Sequence, residues 1–442
     1  MPSHPVEILS GYERTMKIEK IEPGAGLPTN ETAAPKKKNF STLNWLRFLA
    51  ALYIVLFHTL KGYGPLKGTW LQSALSLGNM ATSVFFVLSG FLLTYAYVVQ
   101  KNGRKLDRRN FLLARFSNLY PLHIVGLMLS LLPLALVIAT RGGVAVPAEV
   151  SGTGERIISH AEFVVGLVMN LLLLNAWNPF YMSFNYPSWS LSALGCYYLL
   201  FPVIAPKVYR MKGPVVGLVV LGVLFAIPGA VADLLGRTDV FTDGLLHRNP
   251  IVRFPLFLAG MMLCVHYARA GQGEAKRPIL ALCAVILVTA AFGIYLHHHE
   301  HHLHLIRNGM YYPASLAVIW LCVCVRPSSN PRVIRWGERL GAASLPMFLL
   351  HGPIFQILTL AEKFVRGAIL SPDWRVASIV AKGRDVEPSV ALYWFYLAGL
   401  VLLCVYVQER WVAPLQVWIR NRYGAVKAPP APVVAESRSG TA

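Results

Sequence analysis

The chain has 442 residues, 55% of them hydrophobic and only 14% charged, too apolar a balance for an ordinary soluble domain and the mark of a polytopic membrane protein. Its net charge of +20 does not mark a nucleic-acid binder, because the basic residues fall in short runs between apolar segments, where a positive-inside bias puts them. The six cysteines all lie inside apolar segments without ligand-like spacing, which supports neither a disulfide framework nor a metal site.

Residues 1–40 are polar, include Lys36, Lys37 and Lys38, and lack an apolar core of the kind a signal peptide carries, so they read as a disordered cytoplasmic tail. A membrane-spanning helix needs about 20 mostly apolar residues. Stretches that qualify lie near 42–60, 75–99, 119–139, 188–206, 213–235, 250–268, 278–296, 309–326, 340–360 and 389–411. The short apolar stretch at 161–174 is settled by charge. The basic runs after the second, fourth, sixth, eighth and last spans all fall on the side of Lys36–Lys38 only if this stretch does not cross, so it is expected to be interfacial or re-entrant. The predicted fold is an all-α membrane domain of about ten crossings over 41–412, with both termini cytoplasmic and a second tail over 413–442. No internal repeat is visible.

The first span, "LNWLRFLAALYIVLFH", holds Arg47 and His58. Ionisable groups at membrane depth are expensive and tend to face a cavity or a partner. At 100° per residue an i, i+11 pair returns to nearly the same helix face, about 16 Å further along the axis. An always-charged guanidinium at one end of that face suits a phosphate; a histidine at depth suits proton transfer. The alternative is a snorkelling arginine and an interhelical hydrogen bond.

Five further stretches stand out. "SVFFVLSGFLLTY" interrupts the second span with Ser89-Gly90, which reads first as close helix packing. "RFSNLYPLH" puts Arg115 and Asn118 at the opening of the third span, a second phosphate grip or a positive-inside loop. "FNYPSWSLSA" opens the fourth span. There Tyr186 and Trp189, with Tyr181 upstream, suit an aromatic belt or stacking against a sugar, and Ser188 and Ser190 flank Trp189. Arg253 lies near one end of the sixth span, where an ordinary interfacial anchor would also sit, and His351 midway along the ninth, where it could equally be an interhelical hydrogen bonder. The run "HHHEHHLH" (297–304) has six imidazoles and Glu300 but no fixed ligand spacing, so a low-complexity loop is the simpler reading over a zinc or copper site.

Taken in order along the chain from about 40 to 412, these stretches resemble the acyltransferase-3 family of integral-membrane O-acyltransferases. Arg47 and His58 match its arginine and histidine with ten residues between them, followed by "FFVLSGFLLT", "RFSNLYP", "NYPSWSLS", "RFPLFLAGMML" and "LGAASLPMFLLHGPIF". The resemblance implies acetyl transfer, in a bacterial inner membrane, from cytoplasmic acetyl-CoA to a hydroxyl of an exported or lipid-linked polysaccharide. It makes His58 and Arg47 catalytic, assigns the donor to Arg47, Arg115 and Asn118, and assigns the acceptor to Tyr186, Ser188, Trp189, Ser190, Arg253 and His351. It implies no metal, no nucleic acid, contact with membrane lipid, and room for export or acyl hand-over partners. His58 would serve as general base or relay the acyl group.

Three positions depart from the family's common pattern. Asn118 stands in place of an arginine, and Leu194 and Leu256 each in place of a glutamate, which leaves the acceptor type and the activity itself more open than the donor. A transporter of a small polar solute uses buried Arg and His equally well, but the two-halved symmetry that would favour one is missing. A catalytically degenerate member of the family and a plain membrane scaffold stay open as well.

Overall fold

The computed structural model describes residues 40–424 apart from 104–105, 142–143, 148–154, 271–277, 302 and 385. The polar N-terminal segment, the segment after Lys427, and Arg104, Lys105, Lys276 and Arg277 of the basic runs lie outside the described residues.

The chain runs α1 (Ser41–Thr59), a short α2 (Trp70–Leu75), α3 (Gly78–Thr94) with a π-helical turn at Tyr95–Val99, and α4 (Arg108–Arg141). A two-stranded antiparallel ribbon follows, β1 (Val144–Pro147) with β2 (Glu155–Ile158), the only sheet among the described residues. Next come α5 (His160–Leu171), α6 (Trp189–Arg210), α7 (Pro214–Leu234), α8 (Val240–Arg248), α9 (Pro250–Arg269) and α10 (Ile279–His298). The last part is α11 (Tyr312–Cys324), α12 (Pro331–Leu370), α13 (Val376–Arg384), α14 (Val390–Val407) and α15 (Ala413–Tyr423).

Nine helices among the described residues are long and apolar enough to cross a membrane, and the all-α membrane fold expected from the sequence is the one found. The remaining expected span, 309–326, is present as α11 but broken at its start, where Asn308 and Gly309 leave helical geometry. Pro313, at the first turn of α11, has no N–H to continue a helix from before it. The freed segment is held by side chains instead. Asp233 accepts from the backbone N–H groups of His304 (2.7 Å) and Leu305 (2.9 Å), and the Asn308 amide donates to Leu246 O at 3.0 Å. The apolar stretch at 161–174 forms the 12-residue α5, started by a capping box between Ser159 and Glu162.

Hydropathy sees only the apolar middle of an amphipathic-ended helix, and two helices run well past their expected bounds. α4 begins at Arg108, where Asp107 accepts from the backbone N–H of Asn110 at 3.1 Å; Arg115 and Asn118 therefore sit inside the helix. α12 runs for 40 residues. Beyond α14 the helix passes through a π-helical turn at Gln408–Val412 into α15, past the start of the expected tail.

α1 packs along α12 and α3 crosses α9. Two glycines make that second crossing close, as the small-residue reading of Ser89-Gly90 expected. A Cβ on Gly90 would lie 2.1 Å from Phe257 O, and one on Gly260 would lie 1.9 Å from Val87 O. Around this contact a continuous core gathers Phe86, Phe91, Tyr197, Phe201 and Phe257. Gly260→Val must separate the two helices, costing at least the ~1–3 kcal/mol of an overpacked core. Its thermal midpoint in detergent is expected to fall well below that of Gly399→Ala, whose added methyl meets nothing within 4 Å; equal midpoints would mean the crossing is not this tight.

Candidate active site

The central feature is a cavity of about 170 Å³ between α1, α3, α4, α6 and α12, lined among others by Arg47, Ser89, Arg115, Asn118, Ser190 and Phe348. Its chemistry is set by two guanidinium groups. Among the described residues neither Arg47 nor Arg115 has a carboxylate partner, and no aspartate or glutamate lines the cavity. Arg115 donates from Nη2 to the Tyr97 hydroxyl (2.9 Å) and lies over that ring at 5.2 Å, while its Nε is buried without a partner. Leu194, which stands where a glutamate was expected, is part of the same wall. Taking charge out of water without a counter-charge is costly, so an anion in this cavity would be stabilised, and a guanidinium fork suits phosphate oxygens better than a point charge would.

Asn118 is turned by its own partner: its Oδ1 accepts from the Gln416 amide, which ties α4 to α15. At the same end Arg339 on α12 clasps Glu409 with two hydrogen bonds, 2.5 and 3.0 Å, and Arg269 caps the end of α6 by donating to Tyr209 O and Met211 O, both at 2.5 Å. These bonds tie the basic end of α9 to that of α6 and the basic part of α12 to the turn before α15.

Arg47 and His58 share one face of α1, as their spacing predicts, with Ile54 and Ala51 between them. At the far end His58 meets His351 of α12. His58 Nδ1 is 3.1 Å from His351 Nε2, and the rings stack at 5.1 Å with 18° between planes. His351 is 0% exposed, whereas His58 is exposed. The cavity and the histidine pair are joined by α12: Phe348 lines the cavity, and its ring centre is 6.3 Å from that of His351. Pro353 cannot donate to Leu349 O, and the orphaned carbonyl accepts instead from the Asn185 amide at 2.8 Å. This bond anchors the loop before α6 to α12 beside His351.

The remaining expected residues divide. Ser190 lines the cavity and donates to Pro187 O at 3.0 Å. Trp189 is buried between Phe86 (5.9 Å) and His247 (5.1 Å). Ser188 and Tyr186 belong to a neighbouring polar cluster. Ser188 donates to Asn170 Oδ1 and accepts from the Asn175 amide, and Tyr186 lines a small pocket with Asn170 and Asn185. Arg253 is not on the cavity. It is 3% exposed and donates to two backbone carbonyls, His247 O (2.7 Å) and Arg307 O (3.3 Å), bolting α9 to the broken helix start. The histidine run is also dispersed: His298 stacks on Trp70 at 3.7 Å, His297 meets the Tyr311 hydroxyl at 3.4 Å, and His304 faces Arg237 O at 2.7 Å. No group of three metal-ligating side chains occurs among the described residues. Tyr198, Ser344 and Phe348 on the cavity wall were not singled out by sequence, because a serine or an aromatic in a span signals nothing by itself.

The model of the acyltransferase-3 family, described as an acyltransferase domain, matches residues 40–409. The chain belongs to the acyltransferase-3 family. It is 31% identical over 175 residues to Acyltransferase MdmB of Streptomyces mycarofaciens, a match covering 38% of this chain and 40% of that protein. It is 31% identical over 160 residues to Protein 2 in picA locus of Rhizobium radiobacter, covering 35% of this chain and 76% of that one. To Nodulation protein 10 of Rhizobium leguminosarum bv. viciae it is 26% identical over 256 residues, 55% and 64% of the two chains. The chain thus spans less than half the length of the Streptomyces relative. No solved structure matches it.

The resemblance assigns Arg253 to the acceptor, whereas its two backbone hydrogen bonds suit a structural bolt. Arg253→Met takes a donor from two part-buried carbonyls, up to about 1–3 kcal/mol each, and is expected to lower the thermal midpoint markedly. A midpoint equal to that of the unaltered protein, with acyl transfer lost, would instead put Arg253 on the acceptor.

Proposed function

We propose that the chain is an integral-membrane O-acyltransferase that moves an acetyl or short acyl group from cytoplasmic acetyl-CoA to a hydroxyl of an exported or lipid-linked glycan. The observation that carries this reading is the pairing, on one face of α1, of a cavity with two guanidinium groups that lack a carboxylate partner among the described residues and a histidine that keeps exposed surface. The two sites are about 16 Å apart along the helix, a separation an extended pantetheine arm spans. The phosphates sit against Arg47 and Arg115, with Asn118 beside them, and the thioester reaches His58.

The basic helix ends support the direction. A positive-inside bias makes the Arg47 mouth cytoplasmic, where acetyl-CoA is made, and puts His58 toward the outer half of a bacterial inner membrane. Positioning donor and acceptor together supplies much of the rate. His58 adds proton transfer, a contribution of about 10²–10⁴-fold for a placed general base. The acceptor hydroxyl approaches from the side of the loop before α6, where Tyr186, Ser188, Trp189 and Ser190 lie. Final delivery of the acylated glycan falls to the export machinery of the envelope.

The test compares acetyl signals, by proton NMR, in surface polysaccharide isolated from cells carrying the intact gene, a deletion, and His58→Ala at matched membrane expression. Acetyl groups absent in both altered strains are the expected result. Signals lost in the deletion but kept by His58→Ala would remove His58 from the chemistry, and three identical spectra would sink the glycan acceptor.

A further inference from the structure

His351 does more than share a wall with His58. Its Nδ1 is 3.1 Å from Met347 O, and a carbonyl oxygen only accepts, so Nδ1 carries the hydrogen. In a neutral imidazole the other nitrogen is then an acceptor. That other nitrogen, Nε2, faces His58 Nδ1 at 3.1 Å, and the contact is a hydrogen bond only if His58 Nδ1 donates. The opposite arrangement needs a doubly protonated His351, a full charge at 0% exposure with no carboxylate beside it among the described residues, which burial penalises heavily.

We propose that His351 is a positioning residue that holds His58 as the tautomer protonated on Nδ1, leaving the Nε2 lone pair as the base for the acceptor hydroxyl. This assignment rests on the acyl-transfer reading for its purpose, but not for its geometry. Free histidine prefers the hydrogen on Nε2, so the pair reverses an intrinsic preference. The backbone makes the reversal firm. His351 is fixed at both ends, because the Tyr396 hydroxyl donates to His351 O at 2.9 Å and Asn185 holds the next free carbonyl, Leu349 O, at 2.8 Å. The proton count closes without another group. The acceptor O–H proton passes to His58 Nε2 as its oxygen bonds to the thioester carbonyl carbon; the C–S bond breaks, and the departing thiolate takes that proton from Nε2.

The titratable and charged groups facing His58 are His351 on α12, Lys61 just past the end of α1 and His247 on α8. The Ile54 carbonyl one turn back also faces the ring, so variants at 351 decide which partner holds the proton in place. His351→Leu removes the acceptor; His351→Gln returns one at the position of Nε2.

The first readout is the nitrogen NMR spectrum of full-length protein labelled at histidine ring nitrogens and held in lipid nanodiscs, with the His58 signals found by difference from His58→Ala. The expected result is hydrogen on Nδ1 in the unaltered protein and in His351→Gln, and a shift toward Nε2 in His351→Leu. The second is incorporation of radiolabelled acetyl-CoA into endogenous acceptor by membranes of the producing cells. There His351→Leu should lose about 10²-fold in kcat with KM for acetyl-CoA unchanged, and His351→Gln should recover most of it. Hydrogen on Nε2 in the unaltered protein, an unchanged tautomer in His351→Leu, or equal incorporation by the Leu and Gln variants while the unaltered protein is active would each overturn the proposal. If the tautomers behave as expected but no protein, altered or not, incorporates acetyl, His351 keeps its positioning role and the acyl-transfer reading is the part that fails.

Discussion

Two guanidinium groups with no carboxylate partner among the described residues, in a cavity lined by five apolar helices, are the constraint from which the rest of the site follows. An isolated cation in such surroundings costs several kcal/mol, so under the proposed reading an entering anion offsets a cost that the fold itself leaves standing. The helices are arranged to keep the cavity open at this point. α3 is drawn against α9 by glycine contacts, Gln416 of α15 fixes the Asn118 amide on the cavity wall, and α12 brings Phe348 to the wall. The absence of a side-chain anion at Leu194 makes the pocket more positive than the family's common pattern would.

The second constraint is that α1 carries both ends of the site. A single straight helix fixes the distance between Arg47 and His58 better than two loops could, because its rise per residue is set by backbone hydrogen bonds. α12 copies this logic on the other side, with Ser344 and Phe348 on the cavity and His351 beside His58. The prolines in α12 do not simply weaken it. Pro353 frees Leu349 O, and the carbonyl becomes the anchor for Asn185 and the loop that leads into the proposed acceptor side.

Much of this was legible in the sequence, for specific reasons. Arg47 and His58 were visible because charge in a 16-residue apolar stretch is conspicuous and because a spacing of eleven restores a helix face. The spans were visible through hydropathy, but the extra length of α4 and α12 was not, since their ends are polar. The break before α11 was hidden for another reason: Asn308 leaves the helix because Leu246 O and Asp233 come from far along the chain to satisfy the freed groups. Arg253 was assigned to the acceptor by the family resemblance alone, and its place near a span end fitted an interfacial anchor equally well. Composition cannot tell a guanidinium that faces a cavity from one that bolts two helices through backbone carbonyls. The pairing of His58 with His351, 293 positions apart, was beyond local pattern altogether.

The central claim is that the arginine cavity takes the nucleotide end of coenzyme A. It is tested most directly by equilibrium binding of coenzyme A to the purified full-length protein in lipid nanodiscs at low and high salt, alongside Arg47→Gln and Arg115→Gln. The account predicts saturable, salt-weakened binding that falls at least about tenfold, some 1.4 kcal/mol, in each variant. Binding of equal strength in all three proteins would contradict it.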